Sequence, residues 1–397
     1  MSAQPDGPVW TLEAPRLESG GGVSRVCCRV EGEDIWFESE DLALLPRMEA
    51  FAGAMLTPAL RQGVRLALQS PVEAGWLAQQ RRLAELQRRW WYDRSAFPLE
   101  GAPAVSSPAL RGRGKGDAKL TGSCFTCGVD SFETLLRRQK EVDVLFFVQG
   151  YDIPLEDAPR MAAQRAAMEA VARELGKRLV VLRTNLRSHP CYAQGDWRHT
   201  HGAALAAAGL VSSALLGKLL IPSSYYYHVN IPWGSHWETD FLHTTTDFQV
   251  VHDGQHLYRH KKLMRIAHDP LFQEHVRVCW AHFSESGNCG RCEKCIRTMT
   301  SLYAIGTLAK TPAFPQEPDL LTRIRQLPPI PREALITTWS ILYAFAPQPE
   351  LRQAILELVG RSFPGSPLRL PSGWKEPGMH IMYHWNAWRS LCRQPRS

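Results

Sequence analysis

The sequence predicts an α/β protein in which a parallel sheet carries helices on both faces, with a small β-and-α N-terminal domain before it and a helical C-terminal cap after it. Three observations support this class. Short apolar runs alternate with helical patterns between residues 118 and 227, which is typical of parallel strands joined by right-handed crossovers. Turn signals separate strand-like runs near the N-terminus, and a Pro-rich segment at 311–331 precedes two helical patterns.

Residues 1–100 are predicted to form an N-terminal β-hairpin and helical domain. Two strand-like runs flank Glu31-Gly32-Glu33-Asp34, a turn signal that indicates a small antiparallel sheet. From Leu42 to about Asp93 the pattern is helical, and Pro71 suits the first position of a helix. The last part of this segment is apolar on one face and rich in arginine on the other, which we interpret as a solvated helix surface.

A linker is predicted over 101–117, because this segment is rich in Gly, Pro, Ser and basic residues and offers little to a core. The α/β domain is predicted over 118–310 and a helical C-terminal region over 311–397. The predicted strands of the α/β domain are 120–125, 142–148, 178–182 and a run near 219–227, and its predicted helices begin at Ser131, at Ala158 and at His201. The C-terminal region is predicted to contain helices around 332–346 and 349–360.

Composition limits the class of protein. The chain has 397 residues, 44% of them hydrophobic, so it can bury a sizeable core. Its formal net charge of +7 is a mild bias towards anionic partners, and an RNA partner is not favoured on charge alone. The first residues lack the pattern of a signal peptide and no apolar run has the length of a membrane span. We therefore expect a cytoplasmic protein without a membrane partner, and a homodimer is left open.

The segment Thr126-Cys-Gly-Val-Asp-Ser131 lies between a predicted strand and a predicted helix. A helix N-terminus beyond the carboxyl end of a parallel strand offers unpaired N–H groups and the positive end of the helix dipole, which together favour a phosphate. Gly128 allows close backbone approach, and Thr126 and Ser131 add hydroxyl donors. The loop lacks the lysine of the common nucleotide-binding P-loop, so it predicts a different kind of phosphate site.

Four of the ten cysteines gather late in the sequence, as Cys279, Cys289, Cys292 and Cys295. The spacing C-x9-C-x2-C-x2-C lets three thiolates converge from one tight turn while the fourth closes a tetrahedron. Four thiolates leave no open coordination position, so we predict a structural zinc site. An iron–sulfur cluster is the competing interpretation, since the same spacings can hold one.

The segment 228–254 is dense in His, Trp and Asp, including His236, Asp240 and His252. This composition suits a loop that closes over a substrate. A surface loop tied down by its own aromatic side chains is an equal alternative.

Together, the loop and the cysteines resemble the ATP pyrophosphatase (PP-loop) superfamily, whose motif is S-G-G-x-D-S. Thr126 stands at the first serine and Cys127 at the first glycine, whereas Gly128, Asp130 and Ser131 match directly. Within that superfamily the chain is most similar to the 7-cyano-7-deazaguanine synthases, which pair such a loop with a comparable zinc site. The resemblance covers roughly residues 118–305, and neither the N-terminal nor the C-terminal region.

The resemblance implies an adenine nucleotide alpha hydrolase (HUP-like) fold and an ATP-dependent ligase that forms AMP and pyrophosphate. Such an enzyme adenylates a carboxylate or carbonyl oxygen, which ammonia or an amine then attacks, and it uses ATP, Mg²⁺ and Zn²⁺. The implied catalytic residues are Asp130, Ser131, Arg259 and Lys262. The implied ATP-binding residues are Thr126, Cys127, Gly128, Val129, Asp130, Ser131, Gly150, Arg183 and Asn185.

The acceptor is not identified by the sequence, and three functions are kept open. Relatives with terminal extensions are associated with substrates other than deazaguanines, including macromolecules in defence loci, so the acceptor is a small molecule or a protein. A second hypothesis is an RNA-thiolating enzyme, for which Cys127 and Cys191 are the candidate catalytic thiols. A third is an interaction protein that binds ATP without turnover, because the loop departs from the motif at Thr126 and Cys127.

Overall fold

The computed structural model describes residues 7–93, 96–106, 119–281, 287–316, 319–330 and 333–362. The chain forms two compact units, each of which is discontinuous in sequence. Unit 1 is drawn from Met1–Thr126, Thr134–Ser224 and Pro232–Gln255, and unit 2 from Cys127–Glu133, Tyr225–Ile231 and His256–Ser397. This division does not coincide with the domain boundaries expected from the sequence. Much of the predicted linker, and the end of the predicted C-terminal region from residue 363, lie outside the described residues.

The described residues form twelve strands and twelve α-helices. The strands are β1 (Val9–Leu12), β2 (Arg16–Gly20), β3 (Val23–Val30), β4 (Glu33–Ser39), β5 (Arg65–Leu68), β6 (Val72–Glu73), β7 (Ala104–Val105), β8 (Leu120–Cys124), β9 (Val144–Gln149), β10 (Arg178–Thr184), β11 (Leu216–Pro222) and β12 (Gln249–Asp253). The helices are α1 (Met48–Gln62), α2 (Ala74–Trp90), α3 (Val129–Arg137), α4 (Ala158–Glu174), α5 (Pro190–Ala193), α6 (Trp197–Val211), α7 (Arg259–Ile266), α8 (Pro270–His275), α9 (Glu293–Ile305), α10 (Leu320–Gln326), α11 (Glu333–Phe345) and α12 (Pro349–Ser362).

Unit 1 is built on a ten-stranded sheet with the order β12-β11-β8-β9-β10-β4-β3-β1-β5, in which β2 also pairs with β3. The pairs from β12 to β10 are all parallel. The predicted α/β class is therefore confirmed, and β8, β9, β10 and β11 lie close to their predicted positions. The strands of this half are apolar along their length because both faces of a parallel sheet are covered; all six residues of β9, for example, are buried.

Strand order in the parallel half reverses beside β8. The chain runs from β8 to β9 and β10 on one side, and then returns to place β11 and β12 on the other side of β8. In an open α/β sheet, a ligand crevice forms outside the carboxyl ends of the strands at such a reversal. β8 is the strand that leads directly into the segment 126–131.

The N-terminal strands do not form the separate small sheet that the sequence suggests. β4 pairs antiparallel with β10, with Glu38 opposite Arg183 and Phe37 opposite Thr184, so the N-terminal strands extend the central sheet. Beside them, Ser39 donates from its hydroxyl to the carbonyl of Val181 at 3.0 Å. This pairing covers the edge of β10, whose backbone groups would otherwise be unpaired.

The prediction of a helical segment from Leu42 to about Asp93 is wrong between the two helices that form there. Two helices are present, but β5 and β6 lie between them, and Pro71 precedes β6 rather than starting a helix. β5 pairs in parallel with β1, a partner more than fifty positions earlier. Such a pairing depends on tertiary contacts that local periodicity does not contain.

The second half of α3 is fixed to β12 within unit 1. Thr134 donates from Oγ1 to Asp253 Oδ2 at 2.9 Å, and Arg138 donates from Nε to Asp253 Oδ1 at 2.7 Å. Arg137 forms a further ion pair with the same carboxylate. A buried carboxylate at the end of a strand thereby holds the second half of α3 within unit 1.

Unit 2 contains α7 to α12 together with the first turn of α3. The predicted C-terminal helices are confirmed as α11 and α12, and α12 buries Leu351, Ile355 and Leu358 on one face. That spacing is the one expected of an amphipathic helix against a core. Among the helices that the structure describes, none combines the length and the apolar character needed to cross a bilayer.

Candidate anion site and metal centre

The loop before α3 has a backbone conformation that its sequence makes unusual. Cys127 has φ of 56°, in the left-handed region that favours glycine, and its side chain is fully buried. Its carbonyl accepts a hydrogen bond from the N–H of Arg277 at 2.8 Å. The position therefore requires the conformation that a glycine adopts without strain, although a cysteine occupies it.

The first turn of α3 is organised around the carbonyl of Gly128. This oxygen accepts the helical hydrogen bond from the Phe132 N–H at 2.9 Å and a second bond from the Ser131 hydroxyl at 3.0 Å. Val129 is fully buried at the first helical position. The N–H groups of a first helical turn have no acceptor within their own helix and lie at its positive end, which makes this turn suited to an anion.

Asp130 holds two cations of α7 at the start of α3. Arg259 donates from Nη1 to Asp130 Oδ2 at 2.6 Å, and Lys262 donates from Nζ to Asp130 Oδ1 at 3.0 Å. The side chains of Lys262, Arg259 and Asp130 are 1%, 11% and 19% exposed. Burial opposes ionisation of Asp130, but the charges of Lys262 and Arg259 outweigh it and lower its pKa.

The structure thus brings Gly128, Asp130, Ser131, Arg259 and Lys262 together in unit 2. These residues come from two segments that are about 130 positions apart in the chain. A buried lysine and a largely buried arginine therefore lie beside one carboxylate at the start of α3. Buried charges are stable when they are paired, and here both cations are paired with Asp130.

The other predicted ATP-binding residues belong to unit 1, where they have structural partners. Arg183 donates to Glu38 at 2.7 Å, and Asn185 accepts from the N–H of Trp36 and donates to the carbonyl of Asp34. These bonds join the end of β10 to β4, and the roles of both residues towards ATP remain predictions.

Gly150 and Thr126 also lie in unit 1. Gly150 has φ of 99°, and a Cβ at this position would lie 1.9 Å from the carbonyl oxygen of Thr184, so close backbone approach accounts for the glycine. Thr126 is exposed directly after the buried Phe125. Their roles towards ATP remain predictions.

The four cysteines of the predicted metal site converge in unit 2. Their sulfur atoms all lie within 4.8 Å of one another, with Cys279 Sγ 4.0 Å from Cys292 Sγ and Cys289 Sγ 3.9 Å from Cys295 Sγ. A tetrahedron with Zn–S bonds of about 2.3 Å has edges of about 3.8 Å. The cluster could therefore hold a metal such as zinc, and its compact shape suits a single ion better than the larger volume of an iron–sulfur cluster.

Asn288, which was not predicted from the sequence, joins the segment that carries Cys279 to the turn that carries Cys289 and Cys292 through hydrogen bonds. Its Oδ1 accepts from the N–H groups of Val278 and Cys279 at 2.8 and 3.3 Å, and its Nδ2 donates to the carbonyls of Val276 and Ala313. The backbone N–H groups of residues 291 and 292 point at Cys289 Sγ at 3.4 and 3.3 Å, as expected for a thiolate. An Asn directly before a ligand cysteine is a weak sequence signal, because the amide partners are not visible in sequence.

Two cations of α9 were also missed. Lys294 and Arg297 lie in the first turns of α9. The residues 289–292 directly before this helix form the metal-binding turn. The charge of Lys294 contributes to the lowered pKa of Asp130. The available signal was the pair of basic residues around the last cysteine, in Cys292-Glu-Lys-Cys-Ile-Arg297.

The His- and Asp-rich segment contributes a buried network to unit 1. Asp240 is fully buried and its Oδ2 accepts from Ser235 Oγ and from His252 Nδ1, both at 2.7 Å. His236 and His243 are also buried, and burial lowers the pKa of each to about 4. This part of the predicted loop is thus held by hydrogen bonds among buried polar side chains, and its role over a substrate stays a prediction.

Comparison with known proteins adds no relative: no family model, no curated protein and no solved structure matches this chain.

Proposed function

We propose that this protein is an ATP-dependent ligase that cleaves ATP between the α and β phosphates. In this proposal it transfers AMP to a carboxylate or carbonyl oxygen of an acceptor, releases pyrophosphate, and lets ammonia or an amine displace AMP. The observation that carries the proposal is Asp130, at the start of α3, bound to both Arg259 and the buried Lys262. The resemblance to PP-loop enzymes gives this cluster its interpretation.

The start of α3 supports the proposed site. The positive end of this helix and the two cations Arg259 and Lys262 both favour the pyrophosphate portion of ATP.

Each residue of the cluster has a distinct role in the proposal. Arg259 and Lys262 would offset the charge that develops on the phosphates as the α–β bond breaks. Both oxygens of Asp130 already accept from these cations, which favours a positioning role over direct binding of Mg²⁺. Ser131 and Gly128 would shape the first turn of α3 around the departing pyrophosphate. Mg²⁺ bound with ATP would supply further charge neutralisation.

The metal centre has a structural role in the proposal. Four thiolates fill the coordination sphere of a tetrahedral zinc ion and leave no position for a substrate or a water molecule. We therefore assign no chemical step to Cys279, Cys289, Cys292 or Cys295.

Buried thiols argue against the RNA-thiolation alternative. Such an enzyme needs an accessible, reactive cysteine, but Cys127 is fully buried. Burial raises the pKa of Cys191, which makes its thiolate less available. An interaction protein that binds ATP without turnover is left as the alternative to the ligase.

The matched pair Lys262 and Lys261 tests the proposed ATP site. Lys262 is buried against Asp130, whereas the neighbouring Lys261 is exposed. We expect Lys262→Gln to weaken binding of Mg·ATP about tenfold or more, because a charge-assisted hydrogen bond contributes roughly 1.5–3 kcal/mol. Lys261→Gln should bind ATP like the wild type. Isothermal titration calorimetry measures both, and equal affinity of the two variants would refute the assignment of Lys262.

A further inference from the structure

The metal centre fixes the start of α9. Cys292 occupies the position directly before the helix and Cys295 lies in its first turn. The residues between them and just after them, including Lys294 and Arg297, are therefore positioned by the metal-binding turn. A second contact holds the next turn of the helix, because His260 of α7 is hydrogen-bonded to the hydroxyl of Ser301.

This contact turns Arg297 towards the start of α7. Arg297 and Ser301 are four positions apart, so they lie on the same face of α9. On α7, His260 directly follows Arg259, which binds Asp130. Burial lowers the pKa of Arg297, and the charge of Arg259 contributes in the same direction, as expected when two guanidinium groups lie near each other.

Each of the two arginines carries a buried Nε–H donor without a hydrogen bond in the part of the chain that the structure describes. The side chain of Arg297 is only 9% exposed, and its Nε lies 2.9 Å from Glu293 Oε1. That contact is an ion pair without hydrogen-bond geometry, since Nε–H of Arg297 and Nε–H of Arg259 both lack a hydrogen-bond partner among the described residues. Buried donors on charged groups are costly when unsatisfied, so an anion that accepts from both would stabilise this pair.

The groups around these donors identify the class of ligand. Among the described residues, the cations Lys262, Arg259, Lys294 and Arg297 lie around the carboxylates Asp130 and Glu293. Glu293 is further engaged by Trp339, whose indole N–H donates to Oε1 at 2.9 Å. The Nε donors of the two guanidinium groups suit an anion with several acceptor oxygens, as a diphosphate group provides.

We infer that α9, held in place by the metal centre, is part of the phosphate-binding site, and that Arg297 and Lys294 bind the pyrophosphate portion of ATP. This inference rests on the proposed function, since it assumes that the cations around Asp130 bind phosphate. It gives the four cysteines a role beyond folding, because loss of the metal would release the turn that positions both cations.

Inorganic pyrophosphate is the probe that tests this inference. Calorimetry on the metal-loaded full chain compares the wild type with Arg297→Gln, Lys294→Gln and Arg291→Gln. Arg291 lies on the same metal-binding turn but is exposed, so its variant controls for the lost charge and for changes in the turn. We expect about tenfold weaker binding for Arg297→Gln and Lys294→Gln, and unchanged binding for Arg291→Gln.

Three outcomes separate this inference from the proposed function. Wild-type affinity in both Lys294→Gln and Arg297→Gln, with weaker binding in Lys262→Gln, overturns the role of α9 and leaves the ATP site intact. Equal losses in Arg297→Gln, Lys294→Gln and the control Arg291→Gln also overturn it, since they would reflect net charge alone. Absence of pyrophosphate and ATP binding in the wild type overturns both proposals. Because Lys294 is only half-buried, Lys294→Gln decides the question even where Arg297→Gln fails to fold.

Discussion

Cys127 stands where the backbone conformation favours glycine. A left-handed conformation costs a side-chain-bearing residue about 1–2 kcal/mol, which the buried thiol at this position has to offset through packing. A glycine at this position would adopt the same conformation without strain.

We expect Cys127→Gly to be more stable than Cys127→Ala by about 1 kcal/mol, which reverses the usual order of these residues. Both variants lose the same buried sulfur, but only glycine removes the strain at φ of 56°. Urea denaturation of the two variants measures the difference. Greater stability of the alanine variant would contradict the account of the loop.

Both variants at Cys127 should keep near wild-type turnover. An alanine variant that binds ATP but forms no product would restore Cys127 as a nucleophile.

His243 makes stability depend on pH. Burial lowers its pKa from 6.5 to about 4, with Asp240 opposing the shift, so the unfolded chain binds a proton before the folded one does. The free energy of unfolding should therefore be constant above pH 6.5 and fall as pH decreases from 6.5 towards about 4.

We expect His243→Gln to reduce the slope of unfolding free energy against pH in this window by about 1 kcal/mol per pH unit. Denaturant titrations at about pH 7, 6 and 5 measure this slope. The variant His256→Gln, at an exposed histidine, is the control. Identical slopes for the wild type and His243→Gln would contradict the proposed burial of a neutral imidazole.

At the scale of elements, the metal centre determines the structure of the turn before α9. We expect the purified protein to contain one zinc ion per chain, bound by the four cysteines, and chelation to unfold the region around α9 rather than only reduce activity. Elemental analysis and circular dichroism with and without a chelator test this. Iron in stoichiometric amount, with a visible absorption band, would show that the metal was assigned wrongly.

Local patterns predicted the elements whose periodicity is strong. β8, β9 and α4 lie within two residues of their predicted starts, and α11 and α12 were expected from amphipathic sequence. The turn at Glu31 and Gly32 was predicted from its sequence, and both residues have positive φ, as a two-residue hairpin turn requires.

What could not be predicted depends on partners that are distant in sequence. The pairing of β4 with β10 and of β1 with β5 depends on the tertiary fold, because the sequence of a short apolar strand does not specify which strand it pairs with. For the same reason, only the resemblance to a known family placed Asp130 and Lys262 in one predicted site. The sequence did not predict that Arg297 lies near them. A basic residue shortly after a cysteine predicts no function by itself. Arg297 becomes a candidate only because its Nε, like that of Arg259, has no hydrogen bond among the described residues.

At the scale of the whole molecule, unit 1 contains the sheet whose strand order reverses at β8. Unit 2 contains the cations around Asp130 and the metal centre. A cluster of cations around a helix start can bind any polyanion, so binding alone does not establish a ligase. The bond that is broken in ATP distinguishes the ligase from a protein that only binds nucleotide.

Analysis of the products formed from Mg·ATP labelled in the α-phosphate tests the central claim most directly. The protein is incubated with the label, ammonium and a heat-treated cell extract that supplies both small-molecule and protein acceptors. We predict labelled AMP and an equal amount of pyrophosphate from the wild type, and neither from Asp130→Asn, whose lost charge no longer holds Arg259 and Lys262. Formation of ADP and phosphate, or recovery of intact ATP from every mixture, would contradict the proposed ligase.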